Sequence, residues 1–184
     1  MRVITGLARG KRLKTLEGDD VRPTTDRVKE AVFSMIQFQT EGRRFLDLFA
    51  GSGQMGIEAL SRGAAESVFV DSNYKSIEII KKNLNFTGLI KNAKVLQINS
   101  LDFLRQNNGK FDIAFLDPPY NTGILQKVLP DVANHMQISG IILCETSRND
   151  NLPLEINEFM LDREYHYGKI KIVTYCHRSF LDNE

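Results

Sequence analysis

From Phe45 onward, short apolar runs typical of buried strands alternate with longer segments whose apolar residues recur at helical spacing. Strands are predicted over residues 45–49, 67–71, 93–98, 111–117 and 141–146, and helices over residues 54–62, 74–86 and 123–135. Consecutive strands that are joined by helices lie parallel in one sheet, with helices on both faces. The sequence therefore predicts an α/β fold with a mostly parallel sheet.

The C-terminal segment departs from this alternation. Residues 159–166 and 169–176 flank Tyr167-Gly168, which suits a two-residue turn, and predict an antiparallel hairpin that closes the sheet. With the five parallel strands, the hairpin gives a predicted seven-stranded sheet.

The chain is predicted to form one domain behind a short arm. No repeat or low-complexity linker divides the 184 residues, whose 42% hydrophobic and 26% charged composition is typical of a globular domain. We expect an arm over residues 1–21 and a domain over residues 22–184, in which Thr24 or Thr25 caps the first helix. No apolar run approaches the ~18 residues of a membrane helix, so we expect a cytoplasmic protein without a membrane partner. Two distant cysteines and few histidines are too few ligands for a disulfide framework or a metal site, so no metal is expected.

Positive charge is concentrated in the arm. The basic residues of its first 14 positions are Arg2, Arg9, Lys11, Arg12 and Lys14, and no acidic residue accompanies them. From Phe45 onward the chain instead has 14 basic and 17 acidic residues. Charge that is concentrated in this way favours an anionic partner held by the arm. The alternative is a solvated terminal strand whose charges serve only solubility.

The ends of the first two strands carry residues that suit a nucleotide-like ligand, at the edge where parallel sheets bind ligands. The first strand leads into Asp47-Leu48-Phe49-Ala50-Gly51-Ser52-Gly53, where glycines allow close backbone approach and the next helix start offers N–H groups. The second strand ends at Asp71, a carboxylate suited to two ribose hydroxyls. Gly56 completes a GxGxxG pattern, so both S-adenosylmethionine and a nicotinamide dinucleotide are candidates at this point.

The fourth strand ends at Asp117-Pro118-Pro119-Tyr120, which favours S-adenosylmethionine. The two prolines hold the backbone extended and remove two N–H donors, so that carbonyl and carboxylate acceptors face one point beside an aromatic ring. Such a pocket suits a planar base that bears an NH2 group. Stacking on the ring leaves the amine nitrogen directed at a methyl donor.

Three motifs together resemble one known family over nearly the whole chain. They are Arg22-Pro-Thr-Thr-Asp-Arg-Val-Lys-Glu-Ala-Val-Phe, Asp47-Leu-Phe-Ala-Gly-Ser-Gly with Gly56-Ile-Glu-Ala-Leu-Ser-Arg-Gly-Ala, and Asp117-Pro-Pro-Tyr. In this order, behind a basic arm, they are similar to the bacterial small-subunit ribosomal RNA guanine-N2 methyltransferases, the family named for guanine 966 of 16S rRNA. The resemblance implies a Rossmann-like, class I S-adenosylmethionine-dependent methyltransferase fold.

The resemblance also implies roles for individual residues. The target base is assigned to Asp117, Pro118, Pro119 and Tyr120. The donor S-adenosylmethionine, and its product S-adenosylhomocysteine, are assigned to Asp47, Gly51, Ser52, Gly53, Asp71, Asn99, Ser100 and Thr25. RNA contacts are assigned to Arg9, Lys11, Arg12, Arg22 and Arg27. Asn99-Ser100 departs from the Asp-Ala common in relatives, and Thr25 suits a helix cap as well as a ligand.

The implied reaction is methyl transfer to a guanine of 16S rRNA, with a partly assembled small ribosomal subunit as the partner. Asp117 matches the adjacent N1–H and N2–H donors of guanine, although an adenine N6 or other amino-methyltransferase shares the motif. Two other classes remain open: a nicotinamide oxidoreductase, which would use the same glycine loop, and a non-catalytic RNA-binding module, which would need only the arm.

Overall fold

The computed structural model describes residues 1–16 and 25–181. Its helices are α1 (Asp26–Met35), α2 (Gln54–Ser61), α3 (Tyr74–Thr87), α4 (Ser100–Gln106) and α5 (Ile124–Asn134). Its strands are β1 (Arg44–Leu48), β2 (Glu66–Asp71), β3 (Ala93–Gln97), β4 (Phe111–Leu116), β5 (Met136–Ser147), β6 (Glu155–Ile156), β7 (Phe159–Tyr167) and β8 (Ile170–His177). Single 3-10 turns lie at Ile90–Asn92 and Arg178–Phe180. None of the helices in these two ranges is long and apolar enough to cross a membrane.

The strands form one sheet in the order β3-β2-β1-β4-β5-β8-β7-β6. Strands β1 to β5 pair in parallel, and β8 pairs antiparallel with both β5 and β7. The chain adds β2 and β3 on one side of β1 and β4 and β5 on the other, so the strand order reverses between β1 and β4. Ligands of such sheets bind outside the carboxyl ends of the strands at this reversal. The predicted α/β fold, parallel sheet and terminal antiparallel hairpin are confirmed.

Helices cover both faces of the sheet. Helices α1, α2 and α3 enclose one apolar cluster that includes Phe33 and Ile80, and α4 and α5 enclose another that includes Phe103 and Val128. The central strands β1, β2 and β4 therefore bury nearly every side chain. This explains why these strands read as continuous apolar runs without polar alternation.

The structure corrects several details of the predicted strands, helices and turn. Within residues 1–16 and 25–181 the sheet has eight strands, because the two-residue β6 pairs with β7 at the sheet edge. Helix α4 has no predicted counterpart. Strand β5 begins at Met136, five residues before the predicted start, because residues 137–139 are exposed and lack an apolar pattern. The hairpin turn is Gly168-Lys169, because Tyr167 pairs with Ile170 and Gly168 takes the positive φ of 61°.

The arm folds back on itself as a hairpin that packs on the domain. Arg2 and Arg12 form an antiparallel bridge, and the Val3 N–H donates to the Lys11 carbonyl across it. The apolar residues Val3, Ala8 and Leu13 are buried in the core cluster of α1 to α3. The first 13 residues therefore contribute to the core as well as carrying charge.

Candidate active site

A cavity of about 660 Å³ opens at the carboxyl ends of β1, β2, β3 and β4. Ten of the residues predicted for the base and the donor line it: Asp47, Gly51, Ser52, Asp71, Asn99, Ser100, Asp117, Pro118, Pro119 and Tyr120. Residues from four loops thus meet because parallel strands end at one edge of the sheet. The arm also reaches this cavity, since Thr15 and Leu16 line its wall.

A strained loop connects β1 to α2 at the floor of the cavity. Phe49 has a φ of 80°, a left-handed conformation that is uncommon for a bulky residue. Gly53, predicted as a donor ligand, does not line the cavity but precedes α2 with a φ of 76°. A Cβ atom at Gly56 would lie 2.3 Å from Cε1 of Phe69, so a glycine is required where α2 packs on β2. The loop is therefore held tightly against the sheet.

Asp71 fixes the glycine loop from the neighbouring strand. Its carboxylate accepts hydrogen bonds from the N–H groups of Gly51 and Asn73, each at 2.8 Å. The side chain is half-buried and faces the cavity. Asp71 therefore has a structural role in the loop besides any role toward a ligand.

Asp47 is a buried carboxyl group beneath the loop. It is 2% exposed, and one oxygen accepts the Gly56 N–H at 2.9 Å. Burial raises the pKa of Asp47 from its ordinary value of 3.8, the Gly56 hydrogen bond opposes the rise and the Asp71 charge adds to it, so that the pKa lies at about 7. Near neutral pH, Asp47 can therefore gain or lose a proton when a charged ligand enters the cavity.

The segment after β3 contributes a cap and a buried hydroxyl. The Asn99 side chain accepts the Leu101 N–H at 2.9 Å and caps α4, so the side-chain oxygen of this residue, which was assigned to the donor, already has one partner. Ser100 is 5% exposed, and its Oγ has no hydrogen-bond partner within the part of the chain that the structure describes. A buried hydroxyl of this kind in a cavity wall suits a ligand.

The end of β4 places Tyr120 against a buried acid. Its hydroxyl donates to Oε1 of Glu145 on β5 at 2.7 Å, and Glu145 is only 2% exposed. Asp117 is half-buried and Pro118 is buried, both lining the cavity. Sequence reasoning missed Glu145, although an acidic residue inside the apolar run of β5 was a signal. Glu145 fixes one end of the ring that faces the cavity.

The residues predicted to bind RNA have varied surroundings. Arg9, Arg12 and Arg27 are exposed. The Lys11 ammonium donates to the carbonyls of Phe86 and Thr87 at 3.1 and 3.2 Å, so part of its hydrogen-bonding capacity is used within the protein.

Two further predictions fall on the segment before α1. Thr25, assigned to the donor, instead caps α1 by accepting the Val28 N–H and is not among the cavity residues, because the helix begins at Asp26. This agrees with the cap that the sequence also predicted. Arg22 and Thr24 lie outside the described residues.

Buried polar residues that attach the arm were also missed from the sequence. Glu58 of α2 accepts the N–H groups of Ile4 and Thr5 at 2.8 and 3.0 Å. Lys29 of α1 is fully buried, donates to the Arg2 carbonyl and lies 3.9 Å from Glu58. Burial lowers the pKa of Lys29, and the Glu58 charge opposes the change. The acid within the apolar helix α2 was the available signal.

Known proteins are similar to this chain over nearly its whole length. The sequence model of the family described as conserved hypothetical protein 95 matches residues 1–176. The chain is 39% identical over 184 residues to the candidate rRNA methyltransferase YlbH of Bacillus subtilis, covering 97% of this chain and 100% of that protein. It is 32% identical over 177 residues to ribosomal RNA small subunit methyltransferase D of Escherichia coli, and the match covers 95% of this chain and 89% of that protein. The solved structure of the candidate methyltransferase yhhF of Escherichia coli has a TM-score of 0.86 with this chain at 32% identity. The match covers 96% of this chain and 97% of that structure.

Proposed function

The chain belongs to the conserved hypothetical protein 95 family, and we propose that it transfers a methyl group from S-adenosylmethionine to the N2 amine of a guanine in 16S ribosomal RNA. It has the class I methyltransferase fold, and relatives in the family are small-subunit rRNA methyltransferases. The observation that carries the proposal is the shared cavity of Asp117-Pro118-Pro119-Tyr120 with the glycine loop and Asp71.

The residues on one side of the cavity fit S-adenosylmethionine. Asp71 retains lone pairs for ribose hydroxyls beyond its two backbone bonds, and the Ser100 hydroxyl is buried without a partner within the described ranges. Asp47 provides a carboxyl group beneath a donor that carries positive charge. When bound, S-adenosylmethionine supplies an electrophilic methyl group on a sulfonium. We assign Asp47, Asp71 and Ser100 to its binding.

The residues on the other side suit a guanine that has left its stack. The Asp117 carboxylate and the Pro118 carbonyl are acceptors for the adjacent N1–H and N2–H groups, and the Tyr120 ring, anchored by Glu145, offers a stacking surface. Hydrogen bonds from the amine favour a more tetrahedral nitrogen, whose lone pair is otherwise delocalised into the base. Most of the rate then comes from positioning, and Asp117 accepts the proton that the methylated amine releases.

The arm provides the binding surface for RNA outside the cavity. Arg9 and Arg12 are exposed on a hairpin that is fixed to the domain, so their charges have a defined position relative to the cavity. Arg22, Arg27 and Lys11 extend the proposed contact, with the Lys11 ammonium shared with two carbonyls. An exposed, unstacked base in a partly assembled small subunit is the substrate that this arrangement suits.

The test is tritium transfer from S-adenosylmethionine to 16S rRNA in partly assembled small subunits, followed by mass mapping of the modified nucleotide. Asp117→Ala should abolish transfer and leave S-adenosylhomocysteine binding nearly intact, because Asp117 is assigned to the base. Asp131→Ala, a carboxylate of α5 that does not line the cavity, is the matched control. Turnover of Asp117→Ala above a few per cent of wild type would contradict the role of Asp117. A label on adenine N6 would overturn the guanine assignment, and NADH binding in place of the methyl donor would overturn the proposed activity.

A further inference from the structure

A buried amide on α3 joins the arm to the glycine loop. Asn83 is 1% exposed, and its Nδ2 donates to the carbonyls of Lys14 and Ser52 at 2.9 and 3.0 Å. Its Oδ1 accepts the Lys14 N–H at 2.9 Å. Both amide hydrogens are therefore used, one toward the arm and one toward the loop. Asn83 has no role in the reaction described above.

Both partners of Asn83 are close to the cavity. Ser52 lines it directly, and Lys14 immediately precedes Thr15 and Leu16, which also line its wall. If the arm shifts away, the Asn83 amide loses two hydrogen bonds while still buried, which is unfavourable. The position of the arm and the geometry of the loop thus depend on the same side chain.

The rest of the arm follows the helix that begins at this loop. The Met1 sulfur lies 3.7 Å from Oγ of Ser52, near the start of α2. At the other end of α2, the Leu7 N–H donates to the Ser61 carbonyl at 2.8 Å. The arm is therefore bound along the length of α2, from Ser52 in the cavity wall to Ser61.

We propose that Asn83 is a positioning residue that makes arm docking and donor binding mutually dependent. RNA held by the arm and S-adenosylmethionine in the cavity then each increase the affinity for the other, since coupling between two sites is reciprocal. This inference rests on the proposed function, which supplies both ligands. It assigns to the arm a second role as part of the donor site.

The test uses hydrogen exchange of the arm amides with and without S-adenosylhomocysteine. In the wild type, the ligand should slow exchange of the Val3, Gly10 and Leu13 N–H groups, which are bonded within the arm. Asn83→Ala should remove this protection, weaken S-adenosylhomocysteine binding about fivefold or more, and raise the KM for the donor more than it lowers kcat. A purely structural role would lower stability without removing the ligand-dependent protection.

Two further variants distinguish the loss of the Asn83 hydrogen bonds from a general disruption of the core. Lys14→Pro removes the N–H that Asn83 accepts while leaving the buried amide in place, and should behave as Asn83→Ala does. Asn85→Ala is the matched control, because the Asn85 side chain is exposed on the same helix and its amide donates to the Lys81 carbonyl of that helix. If Asn83→Ala does not fold, Lys14→Pro decides the question.

The outcomes separate this inference from the proposed function. If folded Asn83→Ala or Lys14→Pro keeps the wild-type protection of the arm amides and the wild-type affinity for S-adenosylhomocysteine, the inference is overturned and the proposed function is unaffected. The same holds if S-adenosylhomocysteine binds the wild type without slowing exchange in the arm. If S-adenosylhomocysteine does not bind the wild type at all, the proposed function fails and the inference fails with it. The affinity for 16S rRNA should rise about fivefold when S-adenosylhomocysteine is added to the wild type, and should not rise in Lys14→Pro. This result would support the inference directly.

Discussion

The buried carboxyl of Asp47 predicts that the folded protein loses stability as the pH rises toward neutrality. Burial raises the pKa of Asp47 to about 7, whereas the same group in the unfolded chain titrates near the ordinary value of 3.8. Between these values the folded state holds a proton that the unfolded state has lost, so the stabilising contribution is full at low pH and decreases as the pH rises. Above the folded pKa both states are ionised and this contribution is gone.

The magnitude follows from the two pKa values. Between about pH 5.5 and about pH 8 the contribution of Asp47 to the free energy of unfolding should fall by about 2 kcal/mol, since one pKa unit corresponds to about 1.36 kcal/mol. Asp47→Asn removes the titration but keeps an oxygen that can accept the Gly56 N–H. Urea denaturation of both proteins at both pH values measures the effect. The free energy of unfolding of the wild type minus that of Asp47→Asn should be about 2 kcal/mol lower at the higher pH.

An equal difference at the two pH values would refute this reasoning, because all other titrating groups are common to both proteins. The same carboxyl also predicts proton release on donor binding. A cationic donor favours ionised Asp47, so calorimetry near pH 6 in buffers of different ionisation enthalpy should detect the released proton in the wild type and not in Asp47→Asn.

Other perturbations follow from single contacts. Asp71→Ala should weaken S-adenosylhomocysteine binding by ~1–3 kcal/mol in calorimetry, with single-turnover transfer at saturating donor less affected; unchanged affinity would argue against its assignment. Gly56→Ala places a methyl carbon 2.3 Å from the Phe69 ring and should lower the free energy of unfolding by ~1–3 kcal/mol in urea titrations. Arg9→Ala with Arg12→Ala should flatten the slope of log RNA affinity against log salt by about 1.5 and leave S-adenosylhomocysteine affinity unchanged. A constant slope would mean that neither arginine contacts phosphate.

The sequence determined the elements whose cause is local. Strands β1, β2 and β4 are apolar because both sheet faces are covered, and α3 has a helical stripe, so apolar spacing was enough to place each within about two residues. The gathering of Asp71 and Asp117 at one cavity was equally predictable, because parallel strands with crossover helices must end at the same edge. Helix α4 and strand β6 escaped prediction because seven and two residues are too short to establish a period.

Only the tertiary structure decided how the arm and the cavity are joined. The basic charge of the arm was visible in the sequence, but Glu58 and Asn83 bind arm residues 53 to 69 positions away. The contact of Glu145 with Tyr120 likewise spans 25 positions and crosses from one strand end to the next. Local backbone preference and apolar spacing depend on residues a few positions apart, whereas the partner of a buried polar side chain is chosen by how the helices pack on the sheet.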